Sequence, residues 1–183
     1  MRKIKTLKRR QKQAKTDYHK RIKLLKGNSP RITFRKTNKY ITTQYIISKE
    51  ALDKIEIGIT SKKLLDYGWP KESEGSLKSI PASYFTGMLM GKLIIQKNLP
   101  KNPIIDIGMT RNVHKSKIYG FLKGLIDAGI IIKCDKKFFP TEETIKGKNM
   151  KKDISKIFDK IKSSMNSISE KDLREKKNKG ENK

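Results

Sequence analysis

Between Pro81 and Leu93 the chain reads PASYFTGMLMGKL, thirteen residues with one charge, in a sequence of which 34% is charged. A segment this apolar belongs inside the fold, and the remainder has to be arranged around it. Ser79-Ile80-Pro81 opens it as a long helix, since proline is tolerated in a first helical turn. Tyr84, Phe85, Met88, Leu89 and Leu93 build a broad apolar face, while Gly87 and Gly91 permit close backbone approach. The device recurs downstream, where Ile118, Phe121, Leu122, Leu125 and Ile126 form a helix carrying Gly120 and Gly124. The run TGMLMGK invites a nucleotide-binding reading, but a phosphate loop needs four residues between its glycines and Ser or Thr after the lysine. Here three intervene and Leu93 follows Lys92, so no nucleotide, cofactor or other small-molecule site is expected.

The buried helices account for only part of 183 residues, a length that fits one domain with extensions. Net charge is +27, unevenly spread: residues 1–44 hold 16 basic side chains and one acid, 45–145 hold 16 and 11, and 146–183 hold 13 and 6. Self-repulsion on this scale points to a polyanionic partner, nucleic acid first and an anionic membrane surface second. No apolar run approaches the roughly 18 residues of a membrane span, and no apolar core of a secretory signal stands at the N-terminus. A soluble, intracellular protein is expected. Cys134 is the only cysteine, and His19 and His114 are far apart, so neither an intrachain disulfide nor zinc-finger spacing exists.

Residues 1–15 are too polar to fold unaided and read as an arm that orders along phosphates through Arg2, Lys3, Lys8, Arg9, Arg10 and Lys12. Thr16 is a candidate N-cap and Gly27 a C-terminal stop for a short helix. Its apolar face is expected from Tyr18, Ile22 and Leu25, with Lys20, Arg21, Lys23 and Lys26 outside. Asn28-Ser29-Pro30 breaks it, RITFRKT alternates Ile32 and Phe34 against Arg31, Thr33 and Arg35, and Thr37-Asn38-Lys39 turns into the β-rich YITTQYII. The hairpin therefore offers Arg35, Lys36, Asn38 and Lys39 as donors.

Ile55, Ile57 and Ile59 alternate along a third strand, and Ser61 is expected to cap a short helix KKLLDYG. Residues 67–78 read as a polar loop whose Trp69 either stacks on a base or, more commonly, pins the loop to the core. PIIDIG, Pro103 to Gly108, is a buried-type strand; its Asp106 pairs with nearby bases or a loop amide, or is one ligand of a nuclease magnesium. Met109 to Lys117 is a basic loop with Arg111, His114, Lys115 and Lys117 as further candidate nucleic-acid contacts. Ile130 to Ile132 is expected as a last short strand, and Ile154, Ile157, Phe158, Ile161 and Met165 as an amphipathic tail helix.

TDYHKRIKLLKGNSPRITFRKTN resembles the N-terminal signature of the universal large-subunit ribosomal protein eighteen family in its archaeal form, the counterpart of eukaryotic large-subunit protein five. PASYFTGMLMGK and DIGMTRNVHKSKIYGFLKGLIDAGIII are similar to later family segments, and FFPTEETIKG resembles its closing element. KCD before that element and GKNM after it depart from the family pattern. The resemblance, over roughly residues 5–150, implies 5S ribosomal RNA as partner, held by a basic arm, the following helix and one sheet face. The matching positions are Lys15, Tyr18, Arg21, Lys26, Arg31, Arg35, Lys36, Thr37, Asn38 and Lys39.

The expected fold is α/β, a mixed sheet covered by helices, with the ribonuclease-H-like core that the resemblance implies. Residues 1–15 are the arm, 16–150 a single domain, 151–168 a tail helix and 169–183 a charged tail. The expected function is noncatalytic: a cytoplasmic large-subunit component that anchors 5S RNA in the central protuberance beside the larger ribosomal RNA and neighbouring proteins. The rivals are a ribonuclease-H-like nuclease and a general nucleic-acid-binding or DNA-compacting protein.

Overall fold

The computed structural model describes residues 6–49, 52–150 and 154–166. Helices α1 (Arg9–Lys12) and α2 (Tyr18–Lys26) lead into strands β1 (Arg31–Lys36), β2 (Ile41–Lys49) and β3 (Leu52–Thr60). Two 3-10 turns, Ser61–Tyr67 and Lys71–Ser76, then precede α3 (Ile80–Gln96), β4 (Ile104–Asp106), α4 (Lys117–Asp127), α5 (Glu142–Lys146) and α6 (Ser155–Asn166). The sheet order is β3-β2-β1-β4, antiparallel except for the parallel β1–β4 pair. A turn over residues 37–40 joins β1 to β2, while the 67 residues from β1 to β4 supply the long crossover that a parallel neighbour needs.

One sheet face packs on the helices through Ile32, Phe34, Ile41, Tyr45, Ile57 and Ile59, all buried with α3 and α4. Phe34 meets Phe121 of α4 with ring centres 5.1 Å apart. Burying side chains of this size stabilises a fold by about 1.5–3 kcal/mol each. Trp69 is a core pin: it is 2% exposed, its Nε1 donates to the Ser73 carbonyl at 3.1 Å, and its ring meets Phe85 edge-on. Helix α6 joins the same core, with Phe158 stacked against Tyr84 and packed at a tilt on Phe85, and with Ile161 and Met165 fully buried. The tail helix expected from the sequence thus packs on the domain. No helix among the described residues is long and apolar enough to cross a membrane.

Four local expectations are corrected. Residues 130–132 form no strand: Ile130 is buried, Ile131 is 63% exposed, and the segment touches its neighbour through the Ile131 N–H to Lys101 carbonyl bond. Asp17, not Thr16, caps α2, accepting from the Lys20 N–H at 3.1 Å, while the Thr16 hydroxyl accepts from Arg10 Nε. Ser61 does not cap the turn it opens; its hydroxyl accepts from the Ile41 N–H at 3.1 Å and ties that turn to the sheet. The loop at 67–78 is ordered around a 3-10 turn.

Candidate nucleic-acid interface

The second sheet face carries the odd-numbered residues of β1, and α2 lies across it. Ile22, expected to face inward, is 51% exposed. The helix turns Lys20 and Arg21 toward the sheet because partners for them wait there. Lys20 Nζ donates to the Gly108 carbonyl at 3.5 Å, and Arg21 lies 3.5 Å from Asp53. Asp53 also meets Arg31 at 2.6 Å and accepts from the Ser48 hydroxyl at 2.7 Å. Burial raises the Asp53 pKa, but the Ser48 bond and the two arginines outweigh it and hold the carboxyl below its usual range.

Arg35 makes the second anchor. Its guanidinium donates to Asp106 Oδ2 at 2.6 Å, to the Asp106 carbonyl at 2.7 Å and to the Phe34 carbonyl at 3.0 Å. Asp106 Oδ1 accepts from the Gly108 N–H at 2.9 Å, so both carboxylate oxygens are engaged. Burial opposes ionisation of Asp106, yet the Arg35 bond, the Gly108 amide and the Arg35 and Lys20 charges leave its pKa lowered. Gly108 sits at φ +63°, and a Cβ there would lie 2.9 Å from Arg35 Cζ, so glycine leaves room for the fork. Among the described residues, no group of three or more His, Cys, Asp or Glu side chains converges as a metal site would require.

Between these anchors lies a cleft of about 260 Å³ lined by Arg10, Lys15, Lys20, Arg21, Arg31 and Arg35 together with Asp17, Asp53 and Asp106. The arm, α2 and β1 thus meet around one basic hollow. The described part of the arm touches α2 through Lys8, whose Nζ stands 4.7 Å over the Tyr18 ring. Lys8, Arg9, Arg10, Lys12, Lys15 and Lys26 are exposed, whereas Arg2 and Lys3 lie outside the described residues. Arg31 departs from its expected solvent-facing position: its side chain is 8% exposed and paired to Asp53, which makes it a buried strut of the cleft.

At the hairpin end Lys36, Thr37, Asn38 and Lys39 are exposed. The Thr37 hydroxyl is engaged within the turn, donating to the Tyr40 carbonyl at 2.7 Å and accepting from the Tyr40 N–H at 2.9 Å. It thereby fixes how Asn38 and Lys39 are displayed. Arg111 and Lys115 are exposed on the loop before α4, which is held by His114 stacked on Phe138 at 4.1 Å and by the Lys115 N–H on the Phe138 carbonyl. Sequence reasoning passed over Lys20 as a cleft residue, because its partner, the Gly108 carbonyl, is 88 positions away.

The family model described as ribosomal large subunit proteins 60S L5 and 50S L18 matches residues 2–103, more than half of the chain. The chain belongs to this family. Its relatives include the large ribosomal subunit protein uL18 of Korarchaeum cryptofilum, 38% identical over 78% of this chain and 70% of that protein. The protein of the same name from Methanothrix thermoacetophila is 35% identical over 76% of this chain and 79% of its own length. That from Methanoculleus marisnigri is 36% identical over 76% and 77%. The match takes in the arm, α2, the three antiparallel strands and α3, so the whole cleft except β4 and the loop after it falls within the first 103 residues. The family is one of ribosomal proteins and not of enzymes.

Proposed function

We propose that this chain is a noncatalytic component of the large ribosomal subunit that holds 5S ribosomal RNA and helps anchor it in the central protuberance, beside the larger ribosomal RNA and neighbouring proteins, in the cytoplasm. The observation that carries this reading is the cleft in which arm, α2 and β1 bring six basic residues together on ordered backbone. A ribonuclease-H-like core is the matching fold, supported by three antiparallel strands with the fourth parallel beside β1.

The exposed arm residues with Lys26, Lys36 and Lys39 neutralise phosphates, as do Arg111 and Lys115 on the far loop and Lys117 at the start of α4. Arg21 and Arg35 meet RNA from the cleft rim. Tyr18 and Asn38 add contacts to bases or 2′-hydroxyls, and Thr37 and Arg31 position their neighbours. Engagement of about 6–10 phosphates makes affinity fall about 10³–10⁵-fold between 50 and 200 mM salt, by analogy with duplex DNA. A salt titration of the full chain with 5S RNA tests this, and a flat curve would refute the electrostatic mechanism. Equal affinity for an unrelated RNA of the same length would refute the specificity. Preference for duplex DNA in competition would favour the compaction reading.

A further inference from the structure

Lys36 ends β1 on the helix-covered face of the sheet, two residues past Phe34, and strand residues two apart share a face. Phe34 contacts Phe121 of α4. Because β1 runs parallel to β4 and α4 returns across the sheet after β4, the end of β1 and the start of α4 lie at one end of the molecule. Two strand residues advance about 6.6 Å and four helical residues about 6 Å. Lys36 therefore comes level with Lys117, the first residue of α4.

Helices α3 and α4 are themselves parallel. The Cβ positions of Gly120, Gly124 and Gly91 meet Ile80, Tyr84 and Ala128 respectively, so contacts advance together along both helices. Their N-termini consequently share that same end, and Lys78, just ahead of the α3 cap Ser79, joins the other two lysines there.

None of the three lysines makes a hydrogen bond or ion pair among the described residues, and Lys78 and Lys117 are half-buried. Burial pushes the Lys117 pKa down, and the Lys36 and Lys78 charges push it further. The positive ends of two helix dipoles add to this field. Ser79 caps α3 through the Ala82 N–H, whereas Ser116 makes no side-chain cap on α4. Three cations brought together with no ion pair to a carboxylate among the described residues leave an unfilled demand for an anion.

We propose that Lys36, Lys78 and Lys117 together seat one phosphate of the bound RNA, on the sheet face opposite the α2 cleft. The seat rests on the RNA-binding reading above and adds a second attachment point to it. It unites Lys36 and Lys117, which the sequence places in separate elements, and it adds Lys78.

The test is the slope of log affinity against log salt for the full chain with 5S RNA, compared among wild type, Lys78→Gln, Lys78→Arg, Lys117→Gln and the double Gln variant. Lys62→Gln, an exposed lysine elsewhere, is the control. Lys78→Gln is expected to reduce the slope by about 0.7–0.9, the value of one phosphate, with Lys78→Arg and the control unchanged. The double variant is expected to lose little more than either single one, because the phosphate is shared. An unchanged slope in Lys78→Gln would overturn the proposal, as would a doubled loss in the double variant. A wild-type affinity insensitive to salt would instead refute the RNA-binding reading itself. Thermal melting in the absence of RNA checks folding: Lys78→Gln, which relieves repulsion, is expected to melt no lower than wild type, and a lower melt with an unchanged slope would assign Lys78 a purely structural role.

Discussion

Gly87 and Gly124 each occupy the place where the other's helix passes: a Cβ on Gly87 would lie 2.2 Å from the Phe121 carbonyl oxygen, and one on Gly124 would lie 2.0 Å from that of Tyr84. The obstacles are backbone atoms, which cannot swing aside. Gly124→Ala is therefore expected to force α3 and α4 apart and to destabilise the fold by about 1–3 kcal/mol or more, the cost of overpacking a core. Urea denaturation checks this, with Gly75→Ala as the contrast, since nothing lies within 4 Å of a Cβ there. Equal midpoints for the two variants would contradict the crossing.

Arg31 and Asp53 predict a separation of stability from binding. Asp53→Asn leaves a nearly buried guanidinium without its carboxylate, at a cost of about 2–4 kcal/mol. Lys39→Ala, on the exposed turn, is expected to change stability by less than about 0.5 kcal/mol. In RNA titrations the order reverses: Lys39→Ala weakens binding and lowers the salt slope, whereas Asp53→Asn at a temperature where it is folded leaves the slope near wild type.

Acid should expose the Arg35–Asp106 contact. The folded pKa of Asp106 is depressed, so its contribution is complete above the ordinary carboxylate value of about 4 and is lost as pH falls through the folded value. Asp53 acts in the same direction. Arg35 is 44% exposed, and solvent screening limits this pair to about 1 kcal/mol. Asp106→Asn is expected to flatten the stability curve between about pH 5 and pH 2. A curve in that variant as steep as the wild type would show the pair to be inert.

Phe158→Ala tests whether α6 is part of the domain. It removes a ring packed on Tyr84 and Phe85, 4.7 Å from the latter, and should cost about 3–5 kcal/mol. A cost below about 1 kcal/mol, the level of an exposed site, would mean that the helix is only loosely attached.

Elements whose pattern is local were legible in the sequence. Strict alternation marked β1 and the end of β3, and the run from Pro81 to Leu93 marked α3, because burial on one or both sides leaves a periodic trace. Ile130 to Ile132 has the composition of a strand, but strand formation needs a neighbouring edge in register, and no three-residue run encodes that. The phase of α2 failed for a related reason. Tyr18, Ile22 and Leu25 define an apolar stripe only if charges face water, and here Lys20 and Arg21 find Asp53 and a carbonyl across the cleft. Asp106 was read correctly as a paired carboxylate, since a strand-end acid in so basic a chain has cations within reach. The Lys36, Lys78 and Lys117 trio was invisible because three separate elements have to converge to make it.

The place of α6 in the core has a consequence for synthesis. Tyr84 and Phe85 wait for Phe158, and Ile161 and Met165 close behind it. A nascent chain can complete this interior only after nearly all of α6 has left the ribosome that is making it. The basic arm emerges before the core segments do, and its described residues 6–15 are exposed. The segment proposed to meet RNA is thus available well before the part that gives the domain a fixed shape, and on that reading its encounters with polyanions can precede the finished fold.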